Sequence, residues 1–387
     1  WRGPSSVWQR GGIRMHHWKA VGGGDGFETL PDPQDPTKGY SLSQGGNLMR
    51  WDVVTGERRD AKPQAPAGTK LRFNWNAALA VDPFDPATVY LGSQFVHRSK
   101  DRGETWETVS PDLTTNNPEW QKQEKSGGIT LDVTAAENYT TLVTIAPSPV
   151  AKGTLWAGSD DGRIHVTRDA GATWASVEKA LPAGAPKNAH VAAIEPSRHD
   201  AATAFAVLDD HRWGDFAPYV YRTDDFGKTW RSLVTPAVKG YALAIVQDPV
   251  KKELLFLGTE TGLYASLDGG KAWIPLRKAI PTASVMDLVI HPKEGDLVIA
   301  THGRALWVLD DLTPLREMTE EAFGKPLQLF TPPPARQYWQ APMDGTGGAG
   351  AADYAGTSRP YGALLTFSLN APGLPAAGEE EPPARRG

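Results

Sequence analysis

Residues 223–230 read Thr223-Asp224-Asp225-Phe226-Gly227-Lys228-Thr229-Trp230, and the chain repeats this phrase. It returns as SKDRGETW (Ser99 to Trp106), TRDAGATW (Thr167 to Trp174) and SLDGGKAW (Ser266 to Trp273). Four copies in register are not chance. The key aspartates, Asp101, Asp169, Asp225 and Asp268, are flanked by degenerate copies at Asp52 (RWDVVTGE) and Asp310 (WVLDDLTP), so successive gaps are 49, 68, 56, 43 and 42 residues. A fixed period of roughly 20–50 residues marks repeated supersecondary units. The two shortest gaps define the unit, and the longer ones carry insertions.

Around each turn the text follows one grammar: an apolar strand, an Asp-Pro or similar turn, a strand ending in Gly, a polar loop, a third strand, the Asp-Gly-Trp turn, and a fourth strand. ALAVDPFDPATVYLGSQFVHRSKDRGETWETV (Ala78 to Val109) and YALAIVQDPVKKELLFLGTETGLYASLDGGKAWIPL (Tyr241 to Leu276) both show it. Continuous apolar first strands predict burial on both faces, and alternating third strands predict half-exposure. Six units begin near Glu28, Ala78, Thr141, His190, Tyr241 and Ser284. Four-stranded units arranged radially make an all-β propeller, which protects strand edges by closing a ring. The short HWKAV run at His17 to Val21 reads as the last strand of a further blade, so the expected ring has six recognisable blades and a seventh completed by N- and C-terminal strands.

The 387 residues are sufficient for a sizeable core. Forty Gly, 32 Pro and 14 Trp fit many short strands and turns better than helices. A net charge of −5 argues against a nucleic-acid groove or an anionic membrane surface as partner, since both need a basic excess. No apolar run is long enough for membrane insertion. The absence of cysteine excludes a disulfide framework, a thiol nucleophile and thiolate metal sites. No cofactor or metal is expected: His302 in THGR lacks further ligands nearby, and the turn aspartates are spread singly around a ring. The expected division is an N-terminal segment (1–17) that is part of a blade or of a preceding domain, the propeller (18–330), and a Pro/Gly-rich C-terminal extension (331–387). That extension holds one strand, YGALLTFSL (Tyr361 to Leu369), of a truncated β-domain, after a short helix expected over Thr313 to Phe323.

The repeated phrase resembles the Asp-box, or bacterial neuraminidase repeat, whose chemistry is structural. Asp101, Asp169, Asp225 and Asp268 are expected to accept N–H groups of their own turns, and Trp106, Trp174, Trp230 and Trp273 to pack on the neighbouring sheet. FNWNAAL (Phe73 to Leu79), LWAGSDDGRIHVTRDAGATW (Leu155 to Trp174), LLFLGTETGLYASLDGGKAW (Leu254 to Trp273) and ATHGRALWVLDDLTPLRE (Ala300 to Glu317) resemble the bacterial sortilin-like, glycosyl-hydrolase-like propeller proteins over about Trp18 to Phe330. The resemblance implies a secreted or periplasmic location and a parent protein with further propeller and β-domains.

Loops between strands three and four share a face with those between strands one and two. Any central site is therefore expected opposite, where Arg72, Asn74, Asn76, Asp160, Arg163, Asp209, Trp213, His302 and Arg304 converge. Two insertions, Pro111 to Tyr139 and HRWGDFAP (His211 to Pro218), are candidates for functional loops. Gly24-Asp25-Gly26-Phe27 is similar to the Gly-Asp loop of xyloglucanase-type tandem propellers. A hydrolase would use Asp25 with Asp161 or Glu260 as its two carboxylates. A sialidase reading lacks the Phe/Tyr-Arg-Ile-Pro phrase. The first expectation is a module binding glycan or protein, the second a glycoside hydrolase, and the third a scaffold subunit of an envelope complex.

Overall fold

A computed structural model describes residues 1–122, 138–278, 280–342, 354–371 and 373. The tail beyond them, most of the Gly345–Gly356 stretch and residues 123–137 of the first insertion lie outside the described residues. Blade 1 comprises β1 (Gly26–Pro31), β2 (Lys38–Ser43), β3 (Asn47–Asp52) and β4 (Arg58–Asp60). Blade 2 comprises β5 (Leu79–Val81), β6 (Val89–Gly92), β7 (Val96–Ser99) and β8 (Glu107–Thr108), and blade 3 β9 (Leu142–Pro147), β10 (Leu155–Ser159), β11 (Ile164–Thr167) and β12 (Ala175–Ser176). Blade 4 is β13 (His190–Pro196), β14 (Ala204–Asp209), β15 (Tyr219–Thr223) and β16 (Arg231–Ser232). Blade 5 is β17 (Ala242–Gln247), β18 (Leu255–Thr259), β19 (Gly262–Ser266) and β20 (Ile274–Pro275). Blade 6 is β21 (Val285–Ile290), β22 (Leu297–Thr301) and β23 (Leu306–Leu309). Within each blade, sequential strands pair antiparallel, giving the six-bladed all-β propeller.

In blades 2 to 5 the repeated turn locks the blade to the one before it. Asp225 Oδ1 accepts the Thr223 hydroxyl at 2.8 Å and the Thr229 N–H at 2.9 Å, while Thr229 Oγ1 donates to Oδ2 at 2.7 Å. Asp101 and Asp169 repeat this pattern, and hydrogen bonds from Thr105 and Thr173 hold their carboxyls down at about 2. Gly227 has φ +80°, and a Cβ there would lie 2.7 Å from Val177 of blade 3, so both conformation and contact demand glycine. The tryptophans then reach across the blade boundary. Nε1 of Trp106, Trp174, Trp230 and Trp273 donates to the carbonyls of Ala61, Val109, Val177 and Leu233, each just past the fourth strand of the preceding blade.

Burial follows the radial position of the strands. The second strands β6, β10, β14 and β18 are buried throughout, because both faces meet neighbouring blades. The third strand β19 is also wholly buried, and exposure falls instead on fourth strands such as β8 and β12. Half-exposed third strands are thus found in β3, β15 and β23 but not in β19, and the short fourth strands form the outer rim. Of the first strands β17 is buried throughout as expected, whereas β1, β9, β13 and β21 are partly exposed, so burial on both faces does not hold for them.

Blade 6 and the termini depart from the sequence expectation. WVLDDLTP lacks the Gly and the closing Trp that follow the aspartate in the turns of blades 2 to 5, and after β23 the chain enters α1 (Thr313–Glu317), with Pro314 in its first turn, instead of returning as a fourth strand. The helix expected over Thr313 to Phe323 is split, with α2 (Glu320–Gly324) capped by the Thr319 hydroxyl. No seventh blade is present among the described residues: Lys19 forms only an isolated bridge to Arg2. The Tyr361–Leu369 strand is not alone, since β24 (Leu327–Leu329) pairs antiparallel with β25 (Phe367–Leu369). Among the described residues no helix is long and apolar enough to cross a membrane.

Carboxylates on three first strands face the axis. Burial pushes Glu28 of β1 and Glu195 of β13 up to about 7, and raises Asp287 of β21; the charge of Asp287 adds to the shift of Glu28 and, by less, of Glu195. A raised folded-state value means that the stability linked to Glu195 is complete below the unfolded value near 4.5 and is lost as pH rises through about 7. Glu195→Gln is therefore expected to raise Tm at pH 8 and to leave it nearly unchanged at pH 5. Equal shifts at both pH values would show that Glu195 is ionised without penalty.

Candidate functional site

The loops opposite the repeated turns bring together Asn74, Asp160, Asp209 and Trp213, around a small recess completed by Tyr139, His190 and Arg212. Asn74 precedes blade 2, Tyr139 and Asp160 belong to the approach and the second loop of blade 3, and the others come from blade 4. The recess therefore spans three consecutive blades.

Asp160 is its best-connected member. It is buried, its Oδ1 accepts the Thr141 N–H at 2.9 Å, and its Oδ2 accepts the Thr141 hydroxyl and Asn74 Nδ2, the latter at 3.0 Å. Burial, reinforced by the neighbouring Asp161, pushes it up to about 8 against the pull of these donors. On the blade 4 side Asp209 receives the His211 backbone N–H at 3.0 Å and its Nδ1 at 2.6 Å, and the His211 ring stacks on Tyr241 with centroids 4.2 Å apart. His190, on the inner wall, is driven down to about 3 by burial and then by Arg212, so its imidazole is neutral. Tyr139 Oη and His190 Nδ1 are buried with no hydrogen-bond partner. Two unmet polar groups in one recess are a capacity for ligand hydrogen bonds. At the rim Trp213 is 61% exposed and Phe216 56% exposed.

The remaining expected residues lie elsewhere on this face. Arg72 pairs with Asp112 at 2.8 Å and donates to the Thr140 carbonyl. Asn76 is exposed, and its backbone N–H caps onto Asn74 Oδ1. Arg163 pairs with Glu178 at 3.0 Å. His302 and Arg304 are exposed on blade 6. The three carboxylates considered for catalysis stand on different blades. Asp25, before β1, is exposed and donates its backbone N–H to Gln44 Oε1. Asp161 is wholly buried, with its oxygens taken by Ser159 Oγ and by the N–H and hydroxyl of Thr115. Glu260 follows β18, half-buried, and its backbone carbonyl accepts the Ser284 hydroxyl. Among the described residues no cluster of three or more His, Asp or Glu side chains could hold a metal ion.

Tyr139, His190 and Arg212 escaped the sequence reading. His190 registered only as the start of a blade and Tyr139 only as the end of the first insertion. Arg212 was one residue from Trp213, inside an insertion whose geometry the sequence does not supply.

No family model matches the chain. Among curated proteins it is 24% identical over 308 residues to the oligoxyloglucan-reducing end-specific xyloglucanase of Emericella nidulans, covering 71% of this chain and 35% of that protein. It is also 35% identical over 109 residues to the vacuolar protein sorting/targeting protein 10 of Laccaria bicolor, covering 27% of this chain and 6% of that one. Among solved structures it is similar to a GH74 xyloglucanase from Xanthomonas campestris, at 20% identity and TM-score 0.50, covering 78% of this chain and 54% of the other. A second is the extracellular domain of a putative hybrid two component system from B. thetaiotaomicron, at 14% identity and TM-score 0.50, covering 76% and 35%. The chain spans about a third of the length of the curated xyloglucanase it matches.

Proposed function

We propose that this chain is an exported Asp-box propeller module of a larger, glycan-directed protein, and that it binds polysaccharide in the recess beneath Trp213. The observation that carries the reading is the pairing of an exposed indole at the rim with unpartnered Tyr139 Oη and His190 Nδ1 below it. An aromatic face stacks on a sugar ring, and polar groups at depth meet its hydroxyls. The likeness to xyloglucanases and to an extracellular sensor domain supports a glycan ligand and an extracytoplasmic location.

A hydrolase is the second reading, favoured by two carboxylates in one recess with different surroundings, Asp160 pushed up to about 8 and Asp209 held by His211. Against it, the donors on Asp160 and Asp209 already occupy their oxygens. A binding module needs neither group to be free.

Calorimetric titration with xyloglucan oligosaccharides tests both readings. Trp213→Ala is expected to weaken binding by roughly tenfold or more, as loss of a stacked aromatic anchor does, with no reducing ends released by the parent chain. Binding unchanged in Trp213→Ala would remove this recess from recognition. Reducing-end release that Asp160→Asn abolishes would favour the hydrolase.

A further inference from the structure

A larger cleft, of about 340 Å³, opens on the other face, where the turns after first and third strands lie. Its walls come from the β1–β2 turn, the end of β3 and the turn after it, and Arg102 of blade 2. Here the repeated turn is degenerate: the position five residues past the aspartate, tryptophan in blades 2 to 5, is Glu57.

The three cations of the cleft are paired within the protein, and Asp52 and Glu57 remain as carboxylates with no ion-pair partner. Arg102 pairs with Asp32, Lys38 with Asp35 at 3.0 Å, and Arg50 with Glu104 at 2.9 Å. Asp52 accepts the N–H groups of Val54 and Thr55. Four hydrogen-bonding groups are left over. Tyr40 and Trp51 are 2% and 3% exposed; the Trp51 indole N–H has no partner, and the Tyr40 hydroxyl, which lies beside the Arg102 guanidinium, makes no hydrogen bond of full geometry. Gln34 and Glu57 are exposed, and the hydrogen bonds they make run through their backbones, leaving amide and carboxylate free.

The spare set is therefore an indole donor, a carboxylate acceptor, and a phenol and an amide that do both. An anionic ligand finds the cations of the cleft already paired and meets the Glu57 carboxylate. A ligand bearing several hydroxyls, each both donor and acceptor, finds complementary partners beside two aromatic side chains. The volume is at the lower end of the roughly 300–1,000 Å³ of small-molecule sites. We propose that this cleft is a second binding site, for a neutral sugar of one or two rings, independent of the recess beneath Trp213.

The test uses the whole chain carrying Trp213→Ala, so that binding at the other face is weakened, titrated by NMR with cellobiose, xylobiose and inorganic phosphate. We expect a neutral disaccharide to perturb residues of blade 1, and Gln34→Ala and Glu57→Ala each to weaken it by about tenfold, the loss of a hydrogen bond to a polar or charged group. Both side chains are exposed and unpaired, so the variants should keep the Tm of their parent. The proposal is overturned by no disaccharide binding up to about 10 mM, by binding that neither substitution changes, or by phosphate binding more tightly than either sugar.

Discussion

Trp230→Ala is expected to destabilise the propeller by about 3–5 kcal/mol, the cost of emptying a large aromatic site in a core. Trp230 is 7% exposed, packs edge-on against the fully buried Trp156 with centroids 6.0 Å apart, and belongs to the cluster that joins blades 3 and 4. Its removal opens a cavity at a blade boundary, where a rigid neighbouring sheet cannot collapse to fill it. Trp230→Phe separates volume from hydrogen bonding. It keeps most of the ring but leaves the Val177 carbonyl without its donor, and should cost about 1–2 kcal/mol. Denaturant unfolding of both variants reads these values. An alanine variant within 1 kcal/mol of the parent would mean that the tryptophans decorate the blade boundaries rather than hold them.

This dependence explains why so much of the fold was legible in the sequence. Every part of the repeated turn acts within eight residues or on the adjoining blade. Asp225 binds its own Thr223 and Thr229, Gly227 adopts its φ against Val177, and Trp230 reports the neighbour. A motif whose physics is local survives being read as text. Blade 6 was harder, because its turn lacks the Gly and closing Trp of the repeat, as the turn of blade 1 lacks that Trp and is still followed by β4, and a degenerate turn does not announce what replaces it. The pairing of Leu327–Leu329 with Phe367–Leu369 links strands some forty residues apart across a Pro- and Gly-rich stretch, with no single short hairpin turn to announce it. At the candidate site, topology alone put Asn74, Asp160, Asp209 and Trp213 on one face. What it did not provide was the division of labour among aspartates: Asp160 borders the recess while its neighbour Asp161 points into Ser159 and Thr115. The face marked by the repeated turns also carries the larger cleft, so those turns locate the blades without dividing a functional face from a structural one.

The same contrast between local and distant chemistry makes Arg316→Ala the second large effect, an expected loss of about 3–5 kcal/mol. Asp248, in the turn after β17, is wholly buried and accepts the Val250 and Lys251 N–H groups through Oδ1. Arg316 of α1 meets it as a fork, Nε at 3.1 and 3.0 Å from the two oxygens and Nη2 at 2.8 Å from Oδ2. Lys251 Nζ returns the link by donating to the Leu315 and Met318 carbonyls at the end of the helix. Truncating Arg316 leaves a buried carboxylate with backbone donors and no counter-charge, which is costlier than losing the pair. Asp248→Asn in the Arg316→Ala background removes that charge while retaining an acceptor for the two N–H groups. The double variant should therefore be more stable than Arg316→Ala alone. If instead the two losses add, the pair contributes through packing of α1 on blade 5, and the charge of Asp248 is relieved by water that reaches it once the arginine is gone.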